Sequence, residues 1–214
     1  MLNKQCSLAA AVLALGGSCG AAMIEPDIGG VPLYSETDAF SGSPVVDWGM
    51  TAYSYVFDSS SDLPESFSLK PGQMLFMYLL DGDDSTIVSV DKFTVGNPDD
   101  IPITEVGFAT AIVPEGFDST SYEDPYLYSY SQPAQAIVYT YAGDFSDPYS
   151  TLDPDEWSLV WYIAEAGGWT LGSATASGGG YGDTELVPIP ILPQPGAAVL
   201  LGLAGTAWLR RRGR

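Results

Sequence analysis

Histidine is absent from this sequence, and cysteine occurs only twice among its 214 residues. The lack of histidine removes the commonest general acid or base and the commonest ligand of transition metals. Neither a Ser-His-Asp nor a Cys-His arrangement can be built. We therefore predict that the protein is not an enzyme and has no transition-metal or redox cofactor. A glycoside hydrolase, which needs only two carboxyl groups, is a distant alternative.

Positive charge is also scarce, because seven Lys and Arg stand against 27 Asp and Glu, for a formal net charge of −20. Lys4 lies near the start and four arginines lie at the end, so only Lys70 and Lys92 remain between them. A body this acidic repels phosphate backbones, which excludes nucleic acid as a partner. With 46% apolar residues, the chain can nevertheless build a substantial core.

The first 22 residues have the features of a secretory signal peptide. One lysine is followed by a short apolar run and then by small residues up to Ala22. This order predicts a signal helix over residues 1–22, export by the Sec machinery and cleavage after Ala22. Both cysteines lie in this leader, so the mature chain would have no thiol and no disulfide. Lipidation at Cys19 is the alternative, although Gly16 stands where leucine is expected.

The C-terminal tail has only a short apolar segment, residues 196–209, which contains no charge. A helix of about 14 residues reaches about 21 Å, against a hydrocarbon core of about 30 Å. This segment predicts a short transmembrane helix. Arginines that flank such a segment favour the cytoplasmic side, so we expect residues 23–187 to lie outside the cell. The arginines are Arg210, Arg211, Arg212 and Arg214.

Three features follow one another at this C-terminus: the tripeptide Pro193-Gln194-Pro195, the apolar segment and the arginine cluster. Together, residues 193–214 resemble the PEP-CTERM sorting signal of exported Gram-negative bacterial proteins. The resemblance implies transient membrane anchoring and then cleavage near the tripeptide by an exosortase, a membrane-embedded cysteine protease. Release to the cell surface or the extracellular matrix would follow. Gln194 stands where the family typically has glutamate.

The body between these ends has a dominant period of two. Short runs rich in Tyr, Val, Thr, Phe and Trp alternate with turns rich in Asp, Gly, Pro and Ser. This pattern predicts an all-β body over residues 23–176, an antiparallel β-sandwich of nine to ten strands and of jelly-roll-like or Ig-like size. Residues 73–80 are apolar on both faces and predict a central, buried strand. Residues 177–192 are rich in Gly and Pro and predict a flexible spacer.

Two acidic turns are the most suggestive polar features of the body. They place several carboxylate oxygens on short loops, which is the chemistry that Ca²⁺ prefers in an extracellular setting. Asp-rich turns are equally typical of ordinary hairpins and of protected sheet edges. We keep both interpretations open. The candidate ligands are Asp81, Asp83, Asp84, Asp153, Asp155 and Glu156.

Tyr126, Tyr128 and Tyr130 alternate along one predicted strand and would share a face. Exposed aromatic rings can stack on sugars, so an extracellular polysaccharide is a candidate partner. Aromatic residues are equally suited to packing inside a sheet. The sequence favours an exported surface or matrix protein with a structural or interaction domain. A polysaccharide-binding or Ca²⁺-binding module is the alternative.

Overall fold

Ten strands are present in the computed structural model, which describes residues 27–41, 48–64, 67–82, 89–96, 101–109, 112–131, 135–141 and 151–192. No helix occurs in these ranges, and the strands alternate with turns as the period of two predicts. The strands are β1 (Tyr34–Ser41), β2 (Gly49–Asp58), β3 (Gln73–Gly82), β4 (Lys92–Gly96), β5 (Ile103–Phe108), β6 (Leu127–Ser131), β7 (Ala136–Thr140), β8 (Trp157–Glu165), β9 (Gly168–Gly178) and β10 (Tyr181–Ile191).

The strands form two five-stranded sheets in which every pair is antiparallel. The first sheet has the order β1-β2-β3-β8-β5, and the second has the order β10-β9-β4-β7-β6. Apolar side chains from both sheets share one core, so the sheets pack face to face. At the two sides of the sandwich, β1 lies beside β10 and β5 lies beside β6. The prediction of an all-β, antiparallel two-sheet body is confirmed.

Strand β3 is the centre of the first sheet, between β2 and β8. Its side chains from Leu75 to Leu80 are fully buried. Phe76, Tyr78 and Leu80 point into the core between the sheets, whereas Leu75, Met77 and Leu79 point to the outer face. Loops cover that outer face with Ile28, Leu63, Phe67, Ile112 and Phe117. The prediction of a central strand that is buried on both faces is confirmed.

The structure corrects the prediction of a flexible spacer over residues 177–192. Gly179 and Gly180 have positive φ angles of 56° and 85° and make a tight turn. After that turn, β10 pairs with β9 along its whole length, and Val187 and Ile189 are buried in the core. Prolines are tolerated in β10 because it is the edge strand of its sheet. The folded body therefore extends to Ile191.

The predicted signal peptide (1–22) and the predicted sorting signal (193–214), with their two expected helices, lie outside the described residues. Both stay predictions. Within the described part of the chain, no helix is long and apolar enough to cross a membrane.

Candidate functional site

The two acidic turns of the sequence meet at one end of the sandwich. Strand β3 ends at Gly82 and β8 begins at Trp157, and the register pairs Asp81 with Trp157. The Gly82 N–H donates to the carbonyl oxygen of Glu156 at 2.8 Å. A Cβ atom at Gly82 would lie 2.3 Å from the carbonyl oxygen of Asp153, so only glycine fits at this contact. Asp83 and Asp84 lie outside the described residues.

Carboxylates hold the second turn in shape. Glu156 Oε2 accepts from the Asp153 N–H at 2.8 Å, and Asp153 Oδ1 accepts from the hydroxyls of Thr151, at 2.7 Å, and Ser89. Burial raises the pKa of Glu156, and the nearby charges of Asp153 and Asp155 raise that pKa further, against the opposing effect of the backbone hydrogen bond. Asp155 is exposed and has a φ of 80°, a left-handed conformation that aspartate tolerates. Two of the predicted ligands therefore stabilise the turn itself.

An open cleft of about 580 Å³ lies beside these turns. Asp81 and Asp155 line it together with Asp118, a residue that sequence reasoning did not single out. Asp118 Oδ1 accepts from the Thr120 N–H at 2.9 Å, and this bond lowers the pKa of Asp118. The Asp118 carbonyl oxygen accepts from Trp157 Nε1 at 2.8 Å. The local signal was the run Asp118-Ser119-Thr120, which is typical of an Asx turn but says nothing about its neighbours in space.

This cleft has the chemistry to attract cations. Its carboxylates come from β3, from the turn before β8 and from the loop at Asp118. In the part of the chain that the structure describes, no three acidic side chains are grouped closely enough to hold a metal ion.

The three tyrosines predicted to form a platform have different environments. Tyr126 precedes β6 and is 63% exposed. Tyr128 and Tyr130 lie on the side of β6 that pairing turns inward, but Tyr128 is still 41% exposed. Tyr128 packs edge-to-face against Phe108 at 5.6 Å across the β5–β6 side of the sandwich. Tyr130 is half-buried against the core between the sheets. Because even-numbered positions of β6 face inward, Tyr128 and Tyr130 contribute to packing at an edge of the sandwich.

A second group of carboxylates lies where β1 and β10 meet. Asp38 is on the inner side of β1, and its buried Oδ2 accepts no hydrogen bond from the described residues. Burial raises the pKa of Asp38 to about 7, with smaller contributions from Glu36 and Glu185. On the same side of the sandwich, Asp183 Oδ2 accepts from the Ser41 N–H at 2.9 Å and ties β10 to β1.

No protein family model, curated protein or solved structure matches the chain. Its function therefore has to be inferred from its own residues and their geometry.

Proposed function

We propose that this chain is an exported protein that its C-terminal tail anchors transiently in the membrane. An exosortase then processes the tail and leaves the protein on the cell surface or in the extracellular matrix of a Gram-negative bacterium. The body acts there as a non-catalytic structural or interaction domain. What supports the proposal is the extent of the sandwich, because its described residues, from 27 to 192, lie between the predicted signal peptide and the predicted sorting signal. Its last strand ends at Ile191, two residues before Pro193.

The short connection has a physical consequence for processing. Residues 192–195 separate β10 from the predicted apolar segment, and four extended residues span at most about 14 Å. The protease would thus cut close to a folded domain. The predicted signal helix (1–22) and the predicted transmembrane helix (196–209) are part of this proposal.

The sandwich is jelly-roll-like in this proposal. Strands β3 and β4 are consecutive in the chain but lie in opposite sheets, where β3 pairs with β8 and β4 pairs with β7. Strand β5 then pairs with the other side of β8, and β6 pairs with the other side of β7. Such nested pairing between two sheets is more typical of a jelly roll than of the Ig arrangement.

The proposal is tested by expressing the full chain in a host that has an exosortase and separating membrane, surface and secreted fractions. We expect the unaltered chain to leave the membrane fraction. In a variant with Arg210, Arg211 and Arg212 replaced by Gln, we expect that the membrane does not retain the chain normally and that the tail is not cleaved normally. Gln194→Glu is the matched control and should be processed at least as fast. Identical fractionation of the unaltered chain and the arginine variant would contradict the proposal.

Ca²⁺ binding is a second candidate, which the convergence of both acidic turns on one cleft favours. Extracellular sites have dissociation constants of about 10⁻⁴ to 10⁻³ M. At 10 mM Ca²⁺, a site at the tight end of this range would stabilise the fold by about 2.7 kcal/mol. Thermal unfolding should then shift upward by several degrees, and Asp81→Asn should abolish the shift. Asp62→Asn, at the opposite end of the sandwich, is the control. An unchanged midpoint for the unaltered chain would exclude the site.

A further inference from the structure

The outer face of the second sheet is almost free of charge in an otherwise acidic chain. Strands β4, β6, β7 and β9 contain no acidic residue, and Lys92 is the single charged residue among them. The acids of β10, Asp183 and Glu185, lie on the side that faces β1. This face is therefore nearly neutral, whereas the body as a whole is strongly acidic.

Pairing aligns the outward side chains into rows that cross all five strands. Phe93, Val95, Ile137, Tyr139, Ala174, Ala176 and Val187 point into the core, so the alternate residues point outward. The middle row runs across the sheet through directly paired positions. Its side chains are exposed or half-exposed, and four of the five carry a hydroxyl. The row consists of Ser129, Val138, Thr94, Thr175 and Thr184.

A second row lies beside the middle row, nearer the end of the sandwich where the two acidic turns meet. Thr140 and Ser177 contribute two more hydroxyls to it. Neighbouring strands are about 4.8 Å apart, so five strands present rows about 19 Å long. Loops bury the outer face of the first sheet, whereas these rows are accessible. The members of the second row are Leu127, Thr140, Lys92, Ser177 and Gly182.

A cleft of about 460 Å³ lies at the end of this face. Lys92, Thr140 and Ser177 of the second row line it, together with Asp91 and Tyr181. Tyr181 is 40% exposed and lines the cleft from the start of β10, at a position that alternates with the outward Gly182 and Thr184. Asp91 Oδ2 accepts from the Gly179 N–H at 3.1 Å and so helps to fix the turn that carries Tyr181. The residues around the cleft thus combine an exposed tyrosine with hydroxyl groups, one ammonium group and one carboxylate.

We propose that this face and its cleft bind a neutral polysaccharide. Each Ser or Thr hydroxyl donates one hydrogen bond and accepts others, which matches the alternating donors and acceptors of sugar hydroxyls. The Thr175 and Thr184 hydroxyls are 2.9 Å apart and keep further acceptor capacity. Tyr181 offers an aromatic surface for one sugar ring. A neutral polymer meets no electrostatic repulsion from the acidic body, whereas an anionic one would.

The test uses the full chain in mild detergent, with insoluble cellulose and chitin and soluble β-glucan oligomers as neutral probes and alginate as the anionic probe. We expect retention on at least one neutral polysaccharide. Tyr181→Ala removes the ring, and Thr184→Glu places a charge in the middle row. Each should weaken binding at least about tenfold. Ser119→Glu adds the same charge to an exposed turn elsewhere and should change affinity less than about twofold.

Unfolding midpoints of all variants must stay within a few degrees of the unaltered chain, and Tyr181→Phe provides a milder replacement that should retain binding. Three results would overturn the proposal. The first is no retention on any neutral polysaccharide. The second is tighter binding to alginate that Lys92→Gln abolishes. The third is a dimer, seen by sedimentation, that Thr184→Glu dissociates, because the face would then bind a second copy. Since the body binds independently of tail processing, this test and the sorting test fail separately.

Discussion

Asp38 gives the most discriminating prediction about the energetics of the fold. Its pKa of about 7, against an ordinary value of 3.8, means that the native protein binds this proton more tightly than the unfolded chain does. The stability that the native state gains from holding this proton on Asp38 is fully present below pH 3.8 and is lost as the pH rises toward 7. Asp38→Asn keeps the shape of the side chain and removes the ionisation. We therefore expect the variant to match the unaltered chain below about pH 3.8 and to be increasingly more stable than it from pH 5 to pH 8.

The size of the effect follows from burial. A shift of this size corresponds to an upper limit of about 4 kcal/mol. Because Asp38 is only half-buried, solvent screening reduces the expected difference to roughly 1–2 kcal/mol. For a chain of this length, that difference raises the unfolding midpoint by roughly 2–8 °C. The cause is desolvation together with the charges of Glu36 and Glu185, which face Asp38 from β1 and β10.

Thermal and urea unfolding of both proteins between pH 5 and pH 8 provide the assay. Glu105→Gln is the control, because it removes one negative charge from an exposed strand position. Its effect should not grow between pH 5 and pH 8. If Asp38→Asn changed stability equally at both pH values, or lowered it at pH 8, the reasoning about this buried carboxyl group would be refuted.

Three further predictions concern packing and the acidic end, and each is read from urea unfolding. Gly82→Ala should lower the free energy of unfolding by more than about 2 kcal/mol, because its Cβ would clash with backbone of Asp153 at 2.3 Å. Phe76→Ala should cost about 3–5 kcal/mol, because its buried ring stacks on Tyr162 at 4.9 Å. Tyr78→Phe should cost about 1–2 kcal/mol, because the Tyr78 hydroxyl donates to a buried carbonyl oxygen at 2.6 Å.

Matched variants separate these effects from general sensitivity. Gly182→Ala introduces a Cβ with a nearest contact of 3.3 Å and should be milder than Gly82→Ala. Val113→Ala, at a 45% exposed position, should change stability by less than about 0.5 kcal/mol. A Gly82→Ala protein as stable as the Gly182→Ala protein would contradict the close approach of the two acidic turns.

The fold class was predictable because strands with alternating polarity, or with apolar residues on both faces, can bury their apolar side chains in few arrangements other than packed β-sheets. Residues 73–80 identify the central strand in this way. The end of the body was not predictable from composition. The glycine content of this segment, including Gly179 and Gly180, predicted a flexible spacer. In the structure, the positive φ angles of these two residues make the hairpin that places β10 at the edge. Prolines at that edge lose no essential hydrogen bond, so the Pro-rich run forms a strand.

Site residues were predictable only as far as local chemistry allows. Asp81 and Asp155 lie on one cleft because β3 and β8 pair, a long-range contact that spacing does not encode. Asp118 and Asp38 were missed for the same reason. The alternation of Tyr128 and Tyr130 correctly places them on one side of a strand, but which side faces the core depends on the pairing with β7.

Intact-mass measurement of the protein recovered from the cell surface tests the central claim most directly. We predict a chain that lacks the leader up to Ala22 and ends close to Pro193-Gln194-Pro195, without the arginine cluster. Such a chain has 27 acidic residues against two lysines, a formal charge of −25. A surface protein whose C-terminus is still Arg214 would contradict exosortase processing, and a cell-retained protein that begins at Met1 would contradict export.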